Sequence, residues 1–142
     1  EDKMVFLMFH ASWCGWCHRM DSLMNHADVK KFFDDHFVIT HLVVQESPKN
    51  KHLENPGAQE LMVKHNGDKQ GIPFWLIFSA KGELLADSRM ETKNKEGKTV
   101  LANTGCPAQP DEVDYFIKVL KKNTKLTDGE LAVVREKFLL KR

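Results

Sequence analysis

The sequence predicts an α/β fold: a central mixed β-sheet of parallel strands plus an antiparallel hairpin, flanked by helices, with an extra helix at the C-terminal end. Three observations predict it. Met4–Phe9 is a short, continuously apolar run, the pattern of a strand buried on both faces. Apolar runs of this kind alternate with segments of helical spacing, which implies parallel pairing with helices crossing over the sheet. "FWLIF" and "ELLADSR", joined across Lys81-Gly82, read as a hairpin that adds an antiparallel edge.

Taken in order, Met4–Phe9 leads into the cysteine pair, and the polar–apolar mixture after Trp13 reads as a helix. Asp28 is placed to cap a short helical turn carrying Phe32 and Phe33. Phe37–Val44 reads as the second strand, and 45–55 as a polar loop. Asn55-Pro56 offers a capping side chain followed by proline at the first helical position; Leu61, Met62 and His65 follow at helical spacing, and Gly67 is the stop. Pro73 opens the hairpin, and 91–98 reads as a charged loop. Pro110 starts a helix with Val113, Phe116, Ile117 and Leu120 on one face. Thr127 and Glu130 form a capping box for a last helix carrying Leu131, Val134 and Phe138. The 142 residues fit one domain, with a core of about 4–123 and a helical extension over 124–142.

Composition excludes several classes. With 42% hydrophobic and 29% charged residues, the chain is ordinary for a globular protein and not for a disordered one. A net charge of +1, from 21 basic and 20 acidic residues, gives no electrostatic case for nucleic acid or an anionic membrane. No apolar run approaches the roughly 20 residues of a membrane span, so no stable membrane insertion is expected. The chain opens on Glu1 and not on methionine, so any targeting peptide would lie upstream. Three cysteines are too few for a disulfide scaffold.

The chemistry concentrates in "HASWCGWCHRM", residues 10–20. A C-x-x-C at a helix start puts the first sulfur against unpaired backbone N–H groups and the positive end of the helix dipole, which stabilises its thiolate. Cys14 is therefore the attacking, partly exposed sulfur, and Cys17, one turn on, resolves the mixed disulfide. Trp13 and Trp16 offer an apolar platform for an incoming peptide. Two other readings use the same letters. C-x-x-C-H is a c-type haem signature with His18 as proximal ligand, and one C-x-x-C with His10 or His18 is half of a zinc site. Small c-type cytochromes are largely helical, and Cys106 stands alone, so both fit less well than a dithiol that needs neither metal nor cofactor.

"ASWCGWC" after an apolar strand, with "GIP" before "FWLIF", resembles the thioredoxin superfamily, and within it the extracytoplasmic bacterial thioredoxin-like proteins. The resemblance runs over about residues 4–123, without the family's usual first strand and helix ahead of Met4. It implies a thioredoxin fold, a cis Ile72–Pro73 bond set against the dithiol, and backbone pairing of Ile72 with an extended substrate segment. It also implies a protein thiol–disulfide oxidoreductase, in the reducing direction, with a disulfide-containing protein as substrate and an upstream thiol reductant as partner. A periplasmic or other extracytoplasmic location is implied, the cytoplasm being the alternative, and the state expected is a monomer. A rival from another class is a thioredoxin-fold binding or chaperone module without turnover.

Two departures from the family stand out. The acidic residue usual six positions before the first cysteine is replaced by Met8, which exchanges no protons. His10, on the same strand face, and His41, in the neighbouring strand, are candidates for proton transfer, against the alternative of hydrogen-bonded core histidines. Cys106, in the loop "NTGCPAQP", is the other: a thiol near the active site, one exposed for dimer formation, or an incidental residue.

Overall fold

A computed structural model describes residues 3–67 and 70–140. Strand β1 (Met4–His10) is one of the two inner strands of a four-stranded sheet. Helix α1 (Gly15–Met24) and the short α2 (Lys30–His36) follow it, then β2 (Phe37–Val43), a 3-10 helix at Pro48–Leu53 and α3 (Ala58–Lys64). The hairpin β3 (Phe74–Phe78) and β4 (Leu84–Asp87) completes the sheet in the order β2-β1-β3-β4. A second hairpin, β5 (Arg89–Lys93) and β6 (Thr99–Asn103), stands apart from it, and α4 (Pro110–Asn123) and α5 (Asp128–Phe138) close the chain.

The sheet is mixed as expected: β1 and β2 pair in parallel, β3 and β4 form the antiparallel hairpin, and β3 also runs antiparallel to β1. β2 ends with Val43 opposite His10, and β3 starts with Phe74 opposite Phe9, so the connection begins and ends at the same end of the sheet. Starting from that end, β3 enters the sheet antiparallel to β1.

Alternation along β1 and β3 gives the sheet two cores. Phe6, Met8, Trp75 and Ile77 face α1, α2, α4 and α5, where Phe116 and Phe138 pack with ring centroids 5.1 Å apart. Leu7, Phe9, Phe74 and Leu76 face α3 through Ala58 and Met62. Gly67 is needed there for clearance. A Cβ at this position would come within 2.5 Å of the Met62 side chain and 2.9 Å of the Phe74 ring.

Several local expectations change. Asp28 does not cap α2; the N-cap is Val29, without a side-chain bond, because the Asp28 carboxylate is engaged by Lys137 at 2.9 Å. Helix α3 starts at Ala58 behind Gly57 (φ 81°), while the Asn55 side chain accepts the Val43 N–H at 2.7 Å instead of capping the helix. The polar loop 45–55 contains the 3-10 helix, and the charged stretch 91–98 is not loop throughout but the tip of the β5–β6 hairpin. The Thr127–Glu130 capping box is present, with reciprocal bonds of 2.9 and 3.1 Å. Among the described residues, no helix is long and apolar enough to cross a membrane.

Candidate functional site

β1 ends at His10, and a turn closed by the Cys14 N–H donating to the Ala11 carbonyl at 3.1 Å delivers the chain to α1. Cys14 is the N-cap of that helix, its Sγ accepting the Cys17 N–H at 3.1 Å. The sulfur thus occupies the place of a capping oxygen, at the positive end of the helix dipole, where a thiolate is favoured once the pair is reduced. Cys14 and Cys17 are joined in a disulfide, with Cα atoms 5.2 Å apart.

Both sulfurs are more enclosed than expected: Cys14 is 3% exposed and Cys17 1%, which corrects the partly exposed first cysteine. Ala11 and Ile72 cover the pair, and the Ile72 carbonyl oxygen lies 3.6 Å from Cys14 Sγ. Trp13 and Trp16 stand out beside this lid, both largely exposed and neither in the core. Trp13 is nevertheless fixed, its indole N–H donating to the Gln45 carbonyl at 2.8 Å. The Arg19 guanidinium lies 6.0 Å from the centre of the Trp16 ring.

The Ile72–Pro73 peptide bond is cis. Asn103 clamps this segment from the end of β6: its side-chain amide donates to the Gly71 carbonyl at 2.6 Å and the Pro73 carbonyl at 3.0 Å, and its Oδ1 accepts the Gly105 N–H at 3.0 Å. A cleft of about 360 Å³ opens between Trp16 and this segment, with Cys106 in its wall. Cys106 is buried, and burial pushes its thiol up to about 12. An exposed, dimer-forming thiol is therefore ruled out; the residue packs into the main core beside the cleft.

On the opposite side, the Ser12 N–H and hydroxyl both donate to the Glu46 carboxylate, each at 2.7 Å. Those bonds, the hydroxyl's first, hold the Glu46 carboxyl below the usual carboxylate range. Glu46 in turn donates its N–H to Glu54 at 2.9 Å, and Glu54 is paired with Lys51 at 3.0 Å. His18 is exposed, with Nε2 donating to the Ser12 carbonyl at 2.9 Å, a surface helix residue beside the pair.

Met8 is fully buried among Met20 and Met24. His10 packs against His41 with ring centroids 4.9 Å apart, and His41 Nε2 lies 3.0 Å from Asp21 Oδ1. Burial, and then His41, push the His10 imidazole below its ordinary value, against the pull of Asp21. Of the residues expected at the site, Cys14, Cys17 and Ile72 pack together, Trp16, Ile72 and Pro73 line one cleft, and Trp13 is tied to Gln45. Sequence reading missed Asp21, Glu46 and Asn103. Asp21 had a signal, since it follows Cys17 by four residues on one helix face. Glu46 and Asn103 act across 30 or more residues of sequence and had none.

The Thioredoxin-like family matches this chain over residues 1–80. No curated protein sequence matches significantly. Among solved structures, a disulphide isomerase from Xylella fastidiosa Temecula1 is 21% identical with a TM-score of 0.48, the match covering 61% of this chain and 60% of that one. A DsbH oxidoreductase is 21% identical with a TM-score of 0.48, over 84% of this chain and 74% of that one. A thioredoxin-fold protein from Helicobacter pylori is 14% identical with a TM-score of 0.49, over 96% and 82% of the two chains.

Proposed function

The chain belongs to the thioredoxin-like family, and we propose that within it the protein is a disulfide reductase working through Cys14 and Cys17. The observation that carries this reading is the position of Cys14 Sγ: N-cap of α1, bonded to Cys17, and 3.6 Å from the Ile72 carbonyl. The reduced Cys14 thiolate attacks a substrate disulfide, forming a Cys14–substrate bond and releasing one substrate thiolate. Cys17 then attacks Cys14 Sγ, which restores the internal disulfide and releases the second. Two electrons pass to the substrate, and an upstream thiol reductant returns them to the dithiol. Trp13, Trp16, Ile72 and Pro73 hold the substrate chain, the aromatic pair by contact and the Ile72 backbone by strand-like pairing. The protein acts as a monomer in the periplasm or another extracytoplasmic compartment.

The test is reduction of a disulfide-bonded protein in the presence of dithiothreitol. Turnover is expected from the parent and lost in both Cys14→Ser and Cys17→Ser, and Cys17→Ser should accumulate mixed disulfides through Cys14. A parent without turnover would instead mark a binding or chaperone module. An active parent whose Cys17→Ser variant traps nothing would mean that Cys14 is not the attacking sulfur.

A further inference from the structure

We propose that the open edge of β6 is a docking strand for an extended, uncharged segment of the disulfide-bonded substrate, next to the cysteine under attack; the proposal rests on the oxidoreductase reading above. The hydrogen-bond register of the β5–β6 hairpin carries it. Thr104 donates its N–H to the Ser88 carbonyl at 2.7 Å, and Asn94 donates to the Lys98 carbonyl at 3.0 Å. Facing residues of an antiparallel pair alternate between bonded and non-bonded, so Met90–Ala102 and Thr92–Val100 close the ladder between these two. The other pairs, Arg89–Asn103, Glu91–Leu101 and Lys93–Thr99, turn their backbone N–H and carbonyl groups outwards. The base of the hairpin agrees: the Arg89 N–H goes out to Asp87 Oδ1 at 2.8 Å, and the Asn103 N–H to Gln70 Oε1 at 3.0 Å. Further along β6, no hydrogen bond among the described residues meets the outward backbone groups of Leu101 and Thr99.

The two edges of the hairpin are finished differently. β5 carries Arg89, Glu91 and Lys93 at its outward-bonding positions, charges of the kind that keep an edge from pairing. β6 runs Thr99-Val100-Leu101-Ala102-Asn103 without a charge, and Val100 and Leu101 are exposed. An uncharged, exposed edge with unpaired backbone groups is a template for another strand.

Its place selects the occupant. β6 ends on Asn103, which lines the cleft with Trp16, Ile72 and Pro73 and bonds the Gly71 and Pro73 carbonyls. At that residue the outward edge faces the segment 70–73, through Gln70. A substrate chain held at the cleft therefore has the edge of β6 as its continuation. Along the strand Leu101 stands about 7 Å and Thr99 about 14 Å from Asn103, the repeat of alternate residues in an extended peptide. The base is fixed on the β5 side as well, by the Trp75 N–H donating to the Ser88 hydroxyl at 3.1 Å and by the Arg89–Asp87 ion pair at 2.8 Å. The edge is thus presented ready-made, and binding has little of this protein left to order. Backbone pairing gives affinity without reading a motif, so the substrate class is defined by an extended, uncharged flank beside its cysteine.

The test compares two substrates: a disulfide-linked peptide with an extended flank rich in valine and threonine, and dithiobis-nitrobenzoate, a small disulfide with no flank to pair. Leu101→Pro removes an outward N–H and leaves the ladder to β5 in place, since that N–H does not bond β5. Leu101→Lys keeps the backbone and sets a charge on the edge, so the test does not hang on the proline alone. Each should raise KM for the flanked peptide by about tenfold with kcat unchanged, and leave reduction of the small disulfide as in the parent. Glu91→Pro, the same change at the facing position on the other edge, should leave both substrates as in the parent. With the peptide trapped on Cys14 of Cys17→Ser, amide exchange at Thr99 and Leu101 should slow by at least about tenfold. An unchanged KM in both Leu101 variants would overturn the docking strand, as would amides left unprotected in the trapped complex. An equal rise in KM in Glu91→Pro would overturn it too, being the mark of damage to the hairpin as a whole. Dimers of the parent that Leu101→Lys abolishes would assign the edge to a second copy of the chain instead. A parent that reduces neither substrate would overturn the oxidoreductase reading itself, and the docking strand with it.

Discussion

The two sides of the disulfide are built differently. The side made by β1, α1, β2 and the segment after it is held by ionisable groups: Glu46 on Ser12, Glu54 on Lys51, and Asp21 on His41. The side made by residues 70–73 and 103–106 is held by neutral amides, chiefly Asn103 on the Gly71 and Pro73 carbonyls. The contrast separates two tasks. One side holds groups that can change charge, and the other holds groups that keep one state at every ordinary pH. Perturbing the first side should show in pH profiles, and perturbing the second in substrate affinity.

The largest disturbance should come from beneath both sides. Phe116 packs on Phe6, Phe33, Trp75 and Phe138, so Phe116→Ala should cost about 3–5 kcal/mol in urea unfolding without altering the shape of the pH–rate profile at a temperature where the variant is folded. A changed profile would mean that the two sides are not independent of the shared core. Next comes Asn103→Ala, which leaves two carbonyls and the Gly105 N–H without their partner. It should cost about 1–3 kcal/mol and raise KM for a disulfide protein while leaving the pH optimum in place. A shifted optimum with unchanged KM would reverse the assignment of the two sides.

The smallest effect is a pH-dependent one. Glu46 has a lowered pKa, so its contribution to stability is fully present above its unfolded value of 4.5 and is lost as pH falls through the lower folded value. Glu46→Gln should therefore lower the melting temperature at about pH 7, and the gap from the parent should narrow below about pH 4. A gap of constant width from neutral to acid pH would show that the Ser12 contacts act by shape and not by charge.

How much of this was legible depended on whether the signal was local. β1 and β3 announce themselves as apolar runs, α5 by its capping box, and the dithiol by spacing alone, because each is specified by residues within one turn or one strand. The β5–β6 hairpin was not legible. Its strands carry Arg89, Glu91, Lys93 and Thr99, are largely exposed, and so lack the alternation that marks a half-buried strand. The antiparallel entry of β3 depends on the end of the sheet at which a connection stops, a quantity no single residue encodes. The same holds in the site: Cys14 and Cys17 identify each other, whereas Glu46 and Asn103 gain their roles only when distant segments meet.

The burial of Cys106 has a practical consequence for anyone counting thiols. With its pKa near 12 and its sulfur in the core, it is almost wholly un-ionised at the pH of ordinary alkylation, and only the thiolate reacts. Cys106 should therefore resist alkylation in the native protein and react once the chain is unfolded. Its labelling thus serves as a sentinel for the integrity of the core.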